Sequence, residues 1–255
     1  NMQLQTTQNR INTGLNIASA KDNGGIYAIA QRMRSEVSGY GVVQDSLNRG
    51  ISTVDVTLAA GEAISDLLIE MKEKALAAGD TSLDSASRAA LNEDFKALRD
   101  QIATIVENAE FNGSNLIDGS MSGGISALAN AKGTNTISVS DEDFTFSGSI
   151  MSISAGTEIG TQTQGSDAVT AIESTLTALN SALSRLGTGS RSLEIHKTFV
   201  AKLSDSLEAG IGNLVDADLA KESARLQSLQ VKQQLGVQAL SIANSAPATV
   251  LGFFR

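Results

Sequence analysis

At 255 residues the chain is long enough for one or two globular domains or one long rod. Its 28 acidic and 19 basic side chains leave a formal net charge of −9, which argues against nucleic acid or an anionic membrane as main partner, because both need a basic footprint. Cysteine is absent, which excludes disulfides and thiolate metal sites, and a single proline with few aromatics suits long helices better than a compact α/β core.

No apolar run reaches the length of a membrane span. The opening NMQLQTTQNR has no basic region followed by an apolar one, so no signal peptide is read there. Its first residue is Asn rather than Met, and the chain is expected to be cut or processed at that point. Residues 1–25 begin with helical spacing and turn irregular at Gly14 and at Asp22-Asn23-Gly24-Gly25, where Gly and Asn supply backbone conformations a helix does not use.

A helix is predicted from about Ile26 to Ala78. Leu47, Ile51, Val54 and Leu58 recur at spacings of 4, 3 and 4, and Ile64, Leu68, Met71 and Ala75 continue the stripe. This is the rhythm of a helix packed on long partners, and some fifty residues would give a rod of roughly 75–80 Å. Gly39, Gly41, Gly50 and Gly61 interrupt it at a cost of about 1 kcal/mol each relative to Ala. They mark either breaks or places where another backbone comes close. Gly79-Asp80 ends the helix, and Thr81 to Asp84 reads as the cap of a second one over 83–109. Its stripe is Leu91, Phe95, Leu98, Ile102, Ile105 and Ala109.

Phe111-Asn112-Gly113-Ser114 closes that helix, and the composition shifts to Gly, Ser and Thr until about Gly165. Ile137-Ser138-Val139 and Phe144-Thr145-Phe146 alternate with period two, so a β-hairpin is predicted with Ser140 to Asp143 as its turn. Met151-Ser152-Ile153 is a third short strand candidate. The segment is too small to carry a core of its own. Helical rhythm resumes at Ser166-Asp167 through Val169, Ile172, Leu176, Leu179, Leu183 and Leu186, and passes Gly187 to Gly189 toward Phe199, Leu203, Leu207 and Ile211. A final helix carries Leu219, Leu226, Leu229, Leu235, Leu240 and Ile242 and is expected to stop near Ala246-Pro247, because proline fits a helix end better than an interior.

The expected fold is therefore mainly α: an elongated antiparallel helical coiled-coil bundle with a small β-hairpin region and both termini at one end. Heptad-like stripes alone also fit the core of an ordinary helical bundle. The ending Val250-Leu251-Gly252-Phe253-Phe254-Arg255 separates the two readings, since a self-contained bundle has no use for an apolar tail.

Residues with catalytic or ligand chemistry are few. His196 is the sole histidine and reads as a surface or packing residue. Asp141, Glu142 and Asp143 lack the glycine and distal glutamate of a calcium loop and read as a solvated turn. Asn112-Gly113-Ser114 fits a glycosylation acceptor but reads better as a turn. No phosphate-binding loop is seen, and no cofactor is expected.

Blocks at both ends resemble a known family. Arg10 to Asp22 (RINTGLNIASAKD) resembles the segment near the start of bacterial flagellins, R-L-S-S-G-L-R-I-N-S-A-K-D-D. Glu110-Phe111-Asn112-Gly113 with Leu116 to Gly119 resembles the flagellin F-N-G-x-x-L-L-D-G element. Asp216 to Ser223 resembles D-A-D-F-A-x-E-x, and Ala243 to Pro247 with Leu251 to Arg255 resembles the A-N-Q-A-P and L-L-x-L-F/L-R ending.

The resemblance implies a structural subunit, not an enzyme, that self-assembles into the flagellar filament for motility. It implies export through the flagellar type III route to an extracellular filament. Partners would be further copies of the chain, an export chaperone, and cap and hook-associated proteins, with no nucleic acid and no membrane span. It divides the chain into the end of an inner-core segment with linker (1–25), long N-terminal outer-core helices (26–110), a short variable β-hairpin region (111–165), a C-terminal outer-core helix (166–210) and a C-terminal inner-core helix (211–255).

Inner-core and polymerisation residues by resemblance are Arg10, Gly14, Leu15, Ile17, Asp22, Leu235, Leu240, Ile242, Leu251, Phe253, Phe254 and Arg255. The outer-core seam would comprise Leu47, Ile51, Val54, Leu58, Leu91, Phe95, Leu98, Ile102, Leu176, Leu179, Leu183 and Leu186. Flagellins usually carry a further stretch before the first block; this chain starts without it, so an isolated product is expected to polymerise abnormally. Leu67-Leu68-Ile69-Glu70-Met71 replaces the arginine-containing stretch sensed by the animal innate receptor for flagellin, so weak recognition is expected. The alternatives are a hook–filament junction protein, or a coiled-coil secreted or binding protein outside the filament.

Overall fold

A computed structural model describes the backbone of residues 2–252 and the side chains of residues 2–243. In chain order the elements are α1 (Met2–Thr13), α2 (Gly24–Ala78), α3 (Ser85–Asn108), β1 (Glu110–Phe111), β2 (Ser114–Asn115), β3 (Ile125–Leu128), β4 (Thr136–Val139), α4 (Gln162–Val215) and α5 (Leu219–Gly252). The fold is mainly α with two small antiparallel strand pairs, as the sequence predicts.

Local chemistry sets the helix ends. Gly14 stops α1 in the left-handed region at φ +71°, where a side chain would be strained. Asn23 caps α2, its Oδ1 accepting from the Ile26 N–H at 3.1 Å. Asp84 caps α3 by accepting from Ala86 and Ser87 N–H. At the start of α4, Thr161 and Gln164 cap each other: Gln164 N–H donates to Thr161 Oγ1 at 3.3 Å and Thr161 N–H to Gln164 Oε1 at 3.0 Å. This capping box starts α4 at Gln162, ahead of the predicted Ser166. Neither Gly187 nor Gly189 breaks α4, which runs to Val215, past the expected change of helix at 210/211, and the last helix starts at Leu219. Asp218 caps α5 through the Lys221 N–H. The predicted stop at Pro247 is not seen: α5 continues to Gly252.

Two compact units are built from these elements, one from residues up to Ser38 together with those from Leu203, the other from Gly39–Lys202. In the second unit α2 and α4 run antiparallel in constant register. Gly50 lies beside Leu193, Gly61 beside Leu183, and Gly79 beside Gly165, with Lys72 paired to Glu173 at 2.8 Å. A Cβ on Gly165 would come within 2.7 Å of Gly79 N and 2.9 Å of Ala75 O, so this crossing is backbone against backbone. The α3 helix folds back along α2, tied by Lys74–Asp94 at 2.8 Å and by Arg88 Nε donating to Ala78 O at 2.8 Å. One hydrophobic cluster fills the space between them, and it contains every seam residue named from the sequence. Leu47, Val54, Phe95, Ile102, Leu179 and Leu186 are buried, and Ile51, Leu58, Leu91, Leu98, Leu176 and Leu183 pack partly buried around them.

The strands differ from expectation. Ile137 to Val139 is in a strand, but its partner is Ile125–Leu128, with Ile125 opposite Val139 and Leu128 opposite Thr136. Phe144 to Phe146 forms no strand. Phe144 is fully buried, its N–H donates to Ile117 O at 2.8 Å, and Glu142 N–H donates to Leu116 O at 2.8 Å, so the segment is committed to lining the core. Met151 and Ile153 are likewise buried outside any strand. Glycines seat the β3–β4 hairpin on the helices: Gly50 faces Ile125 and Ala127, Gly39 faces Ala131, and Gly189 faces Val139.

Candidate assembly surface

The first unit brings the two ends of the chain together. Leu15 and Asp216 form an antiparallel bridge. Asn16 and Ile17 N–H groups donate to Val215 O at 2.7 and 3.2 Å, and Ala217 N–H donates to Gly14 O at 2.8 Å. Ile17, Ala30, Ile211 and Val215 make a small core, with Leu15, Ile26, Tyr27, Met33, Val37 and Leu214 around it. From this anchor α1 and α5 run antiparallel, since Arg10 meets Glu222 while Met2 and Leu4 meet Leu229 to Gln233.

Arg10 Nη1 donates to Glu222 Oε1 at 3.1 Å, and the Glu222 side chain is only 10% exposed. Glu222 Oε2 is buried without a hydrogen-bond partner. Asp22 organises the turn after α1: its Oδ2 accepts from Ala18 N–H, Ser19 N–H and Ser19 Oγ. The Ser19 bonds hold its carboxyl below the usual carboxylate range, with Ala18 and nearby Arg10 acting the same way. In the sequence Asp216 and Glu222 stand out only as part of a motif; a lone acidic side chain destined for burial carries no local signal, and the counterpart of Glu222, Arg10, lies 212 positions away.

Along α5 the apolar residues face outward. Leu235 is 58% exposed, Leu240 72% and Ile242 71%, with Val231 and Val237 similar. At about 100° per residue, Val231, Leu235 and Ile242 share one stripe, on the side of α5 opposite Glu222, while Val237 and Leu240 lie on the Glu222 side, along which α1 runs. The first stripe faces away from α1, and none of its three residues belongs to the small core of the unit. The side chain of Leu251 and residues Phe253, Phe254 and Arg255 lie outside the described residues.

The remaining candidates are used structurally. Glu142 holds Arg185 through two bonds of 2.6 and 2.7 Å, Asp141 accepts from Gly123 N–H, and Asp143 accepts from Thr145 N–H. So Ser140 to Asp143 is no free solvated turn. His196 Nε2 bonds Ala129 O at 2.7 Å, and its ring sits 5.8 Å from Phe199. Among the described residues no group of three or more acidic or histidine side chains is placed to hold a metal, and no helix is long and apolar enough to cross a membrane.

The family models for the N-terminal and the C-terminal helical region of bacterial flagellin match residues 1–122 and 169–254. Over 261 aligned residues the chain is 53% identical to flagellin FljK of Caulobacter vibrioides, covering 100% of this chain and 92% of that one. The chain belongs to the bacterial flagellins.

This flagellin is a structural subunit of the flagellar filament and assembles with copies of itself. The crystal structure of Bacillus cereus flagellin shares its fold at a TM-score of 0.53 and 20% identity, covering 61% of this chain and 88% of that one. A structure assigned as a flagellar hook-associated protein from Vibrio parahaemolyticus matches at a TM-score of 0.59 and 15% identity, covering 76% of this flagellin and all of that chain. At those identities the likeness is one of fold, so the two structures do not separate filament subunit from junction protein. The relative at half identity over the full chain does.

Proposed function

We propose that α5, with α1 docked on it, is the surface on which this flagellin polymerises. The observation that carries the proposal is the outward apolar stripe of Val231, Leu235 and Ile242 on the side of α5 away from α1. A head-to-tail contact that does not close into a ring extends into an open helical polymer, and neighbouring copies would cover that stripe. At about 25 cal/mol per Å2 of apolar area, burying these side chains contributes several kcal/mol per subunit before ordering costs. Arg10, Gly14, Leu15, Ile17 and Asp22 set where α1 lies on α5, and Leu251, Phe253, Phe254 and Arg255 extend the polymerising end. The α2–α4 seam supplies stiffness.

The chain works mechanically rather than as an enzyme. It travels by the flagellar type III route with an export chaperone and meets cap and hook-associated proteins at the filament tip and base. The segment Leu67 to Met71 lacks arginine, and Leu68 and Met71 are buried in the core, leaving Ile69 and Glu70 on the surface, so recognition by the animal receptor is weak. A receptor reporter assay giving full-strength activation would overturn that part.

The assembly test is a Val231→Ser/Leu235→Ser double variant, examined by electron microscopy after precipitant seeding. It should remain a folded monomer under conditions in which the parent chain polymerises. Filaments of normal length from the variant would remove α5 as the polymerising surface.

A further inference from the structure

The chain contains two Asn-Gly pairs in exposed positions, Asn23-Gly24 and Asn112-Gly113, and the fold treats them differently. Asn-Gly is chemically labile because the glycine has no Cβ to shield its amide nitrogen from the neighbouring carboxamide. Asn23 is held. Its Oδ1 accepts the Ile26 N–H at 3.1 Å, and its backbone carbonyl accepts the Tyr27 N–H at 3.0 Å, so side chain and backbone are both committed to the start of α2. Asn112 sits at φ +51° and Gly113 at φ +77°, the two central residues of the loop between β1 and β2. Both positive φ values fit a type I′ turn. Among the described residues no hydrogen bond engages the Asn112 carboxamide, and nothing lies within 4 Å of the position a Cβ would take on Gly113.

We infer that Asn112 is the spontaneous deamidation site of this chain, and that the α2 cap spares Asn23. The Gly113 amide nitrogen, giving up its proton to solvent, attacks Cγ of Asn112. The bond from Cγ to the side-chain nitrogen breaks, ammonia leaves with the proton, and a five-membered imide closes. Water then opens either carbonyl, giving aspartate or isoaspartate, so the net change is one water consumed and one ammonia released. Isoaspartate routes the main chain through the β-carbon and lengthens a two-residue loop that has no slack. The pairing of Glu110 with Asn115 is the contact it disturbs. Asn115 is buried, donates to Val106 O at 2.7 Å and accepts from Ile117 N–H at 2.9 Å, so the damage reaches the segment that feeds Leu116 and Ile117 into the core.

The two sites fall in separate tryptic peptides, Asp22 to Arg32 and Asp100 to Lys132. The folded full-length chain is aged at mildly alkaline pH, and a parallel sample is aged in urea. Tandem mass spectrometry with isoaspartate-sensitive fragmentation then reads each asparagine. Folded, Asn112 should convert about tenfold faster than Asn23, the factor one lost cap bond is worth in rate. In urea the two rates should converge. The variant Asn112→Gly, which keeps a residue suited to positive φ, should leave no converted residue at position 112 and an unchanged helical spectrum. Equal or faster conversion at Asn23 in the folded chain overturns the inference. So does a folded Asn112 that stays intact while the urea sample converts.

Discussion

Arg10 and Glu222 meet across the two ends of the chain, and the pair is worth more as a lock than as a source of stability. Burying a carboxylate with one oxygen unpartnered is costly, and an apolar pair of equal volume would do as well. Removing only the arginine is different, because the charge stays behind. Arg10→Ala should destabilise the docking of α1 on α5 by about 2–3 kcal/mol, read as faster hydrogen exchange over Leu219 to Leu229. Arg10→Ala combined with Glu222→Leu should recover much of that loss.

Acid acts at the same scale. Asp22, Asp80 and Asp84 all have folded pKa values lowered, chiefly by hydrogen bonds from Ser19, Ser82 and Ser87. A lowered folded pKa means stability that is fully present above the unfolded value, near 3.9 for aspartate, and lost as pH falls through the folded value. Exchange relative to the intrinsic rate of an unprotected amide, in the Ala18 to Asp22 turn and at the start of α3, should therefore be flat from pH 8 to about 5 and rise below about 4. A rise already between pH 8 and 6 would contradict this. These residue contacts were the least legible from sequence. Asp84 announced itself as a cap, but the partner of Glu222 is fixed by tertiary packing that no local window contains.

The long helices were legible because their apolar spacing is a property of the chain alone. Strand pairing was not: Ile137 to Val139 was visible as alternation, yet the choice between Ile125–Leu128 and Phe144–Phe146 as partner depends on which aromatic the core claims, and it claims Phe144. Asn112-Gly113 reads from sequence as a helix-ending turn, without the two short strands on either side of it. Helix glycines make a testable contrast. Gly165→Ala puts a Cβ against the backbone of Ala75 to Gly79 and should cost about 1–3 kcal/mol of thermal stability. Gly41 has open space around it, so Gly41→Ala should gain up to about 1 kcal/mol from helix propensity alone. If both variants melt at the same temperature, the packing account of these glycines is wrong.

At the scale of the whole molecule, the chain is a filament subunit whose last helix carries an exposed apolar stripe on the side away from α1. Polar substitutions at Val231 and Leu235 should leave monomer unfolding within about 0.5 kcal/mol of the parent while removing filaments, because those side chains lie outside the subunit's own core. The family was readable from blocks at the two ends, and Leu235, Leu240 and Ile242 were named only through that resemblance, since helical spacing by itself does not say whether a stripe faces the subunit's own core or a neighbour. The most direct measurement is a cryo-electron microscopy map of the native filament at side-chain resolution. It should show most of Val231, Leu235 and Ile242 covered by neighbouring copies, with Arg10 on Glu222 of the same chain. A map in which those apolar side chains stay open to solvent, with subunits joined only through the α2–α4 unit, would contradict the account.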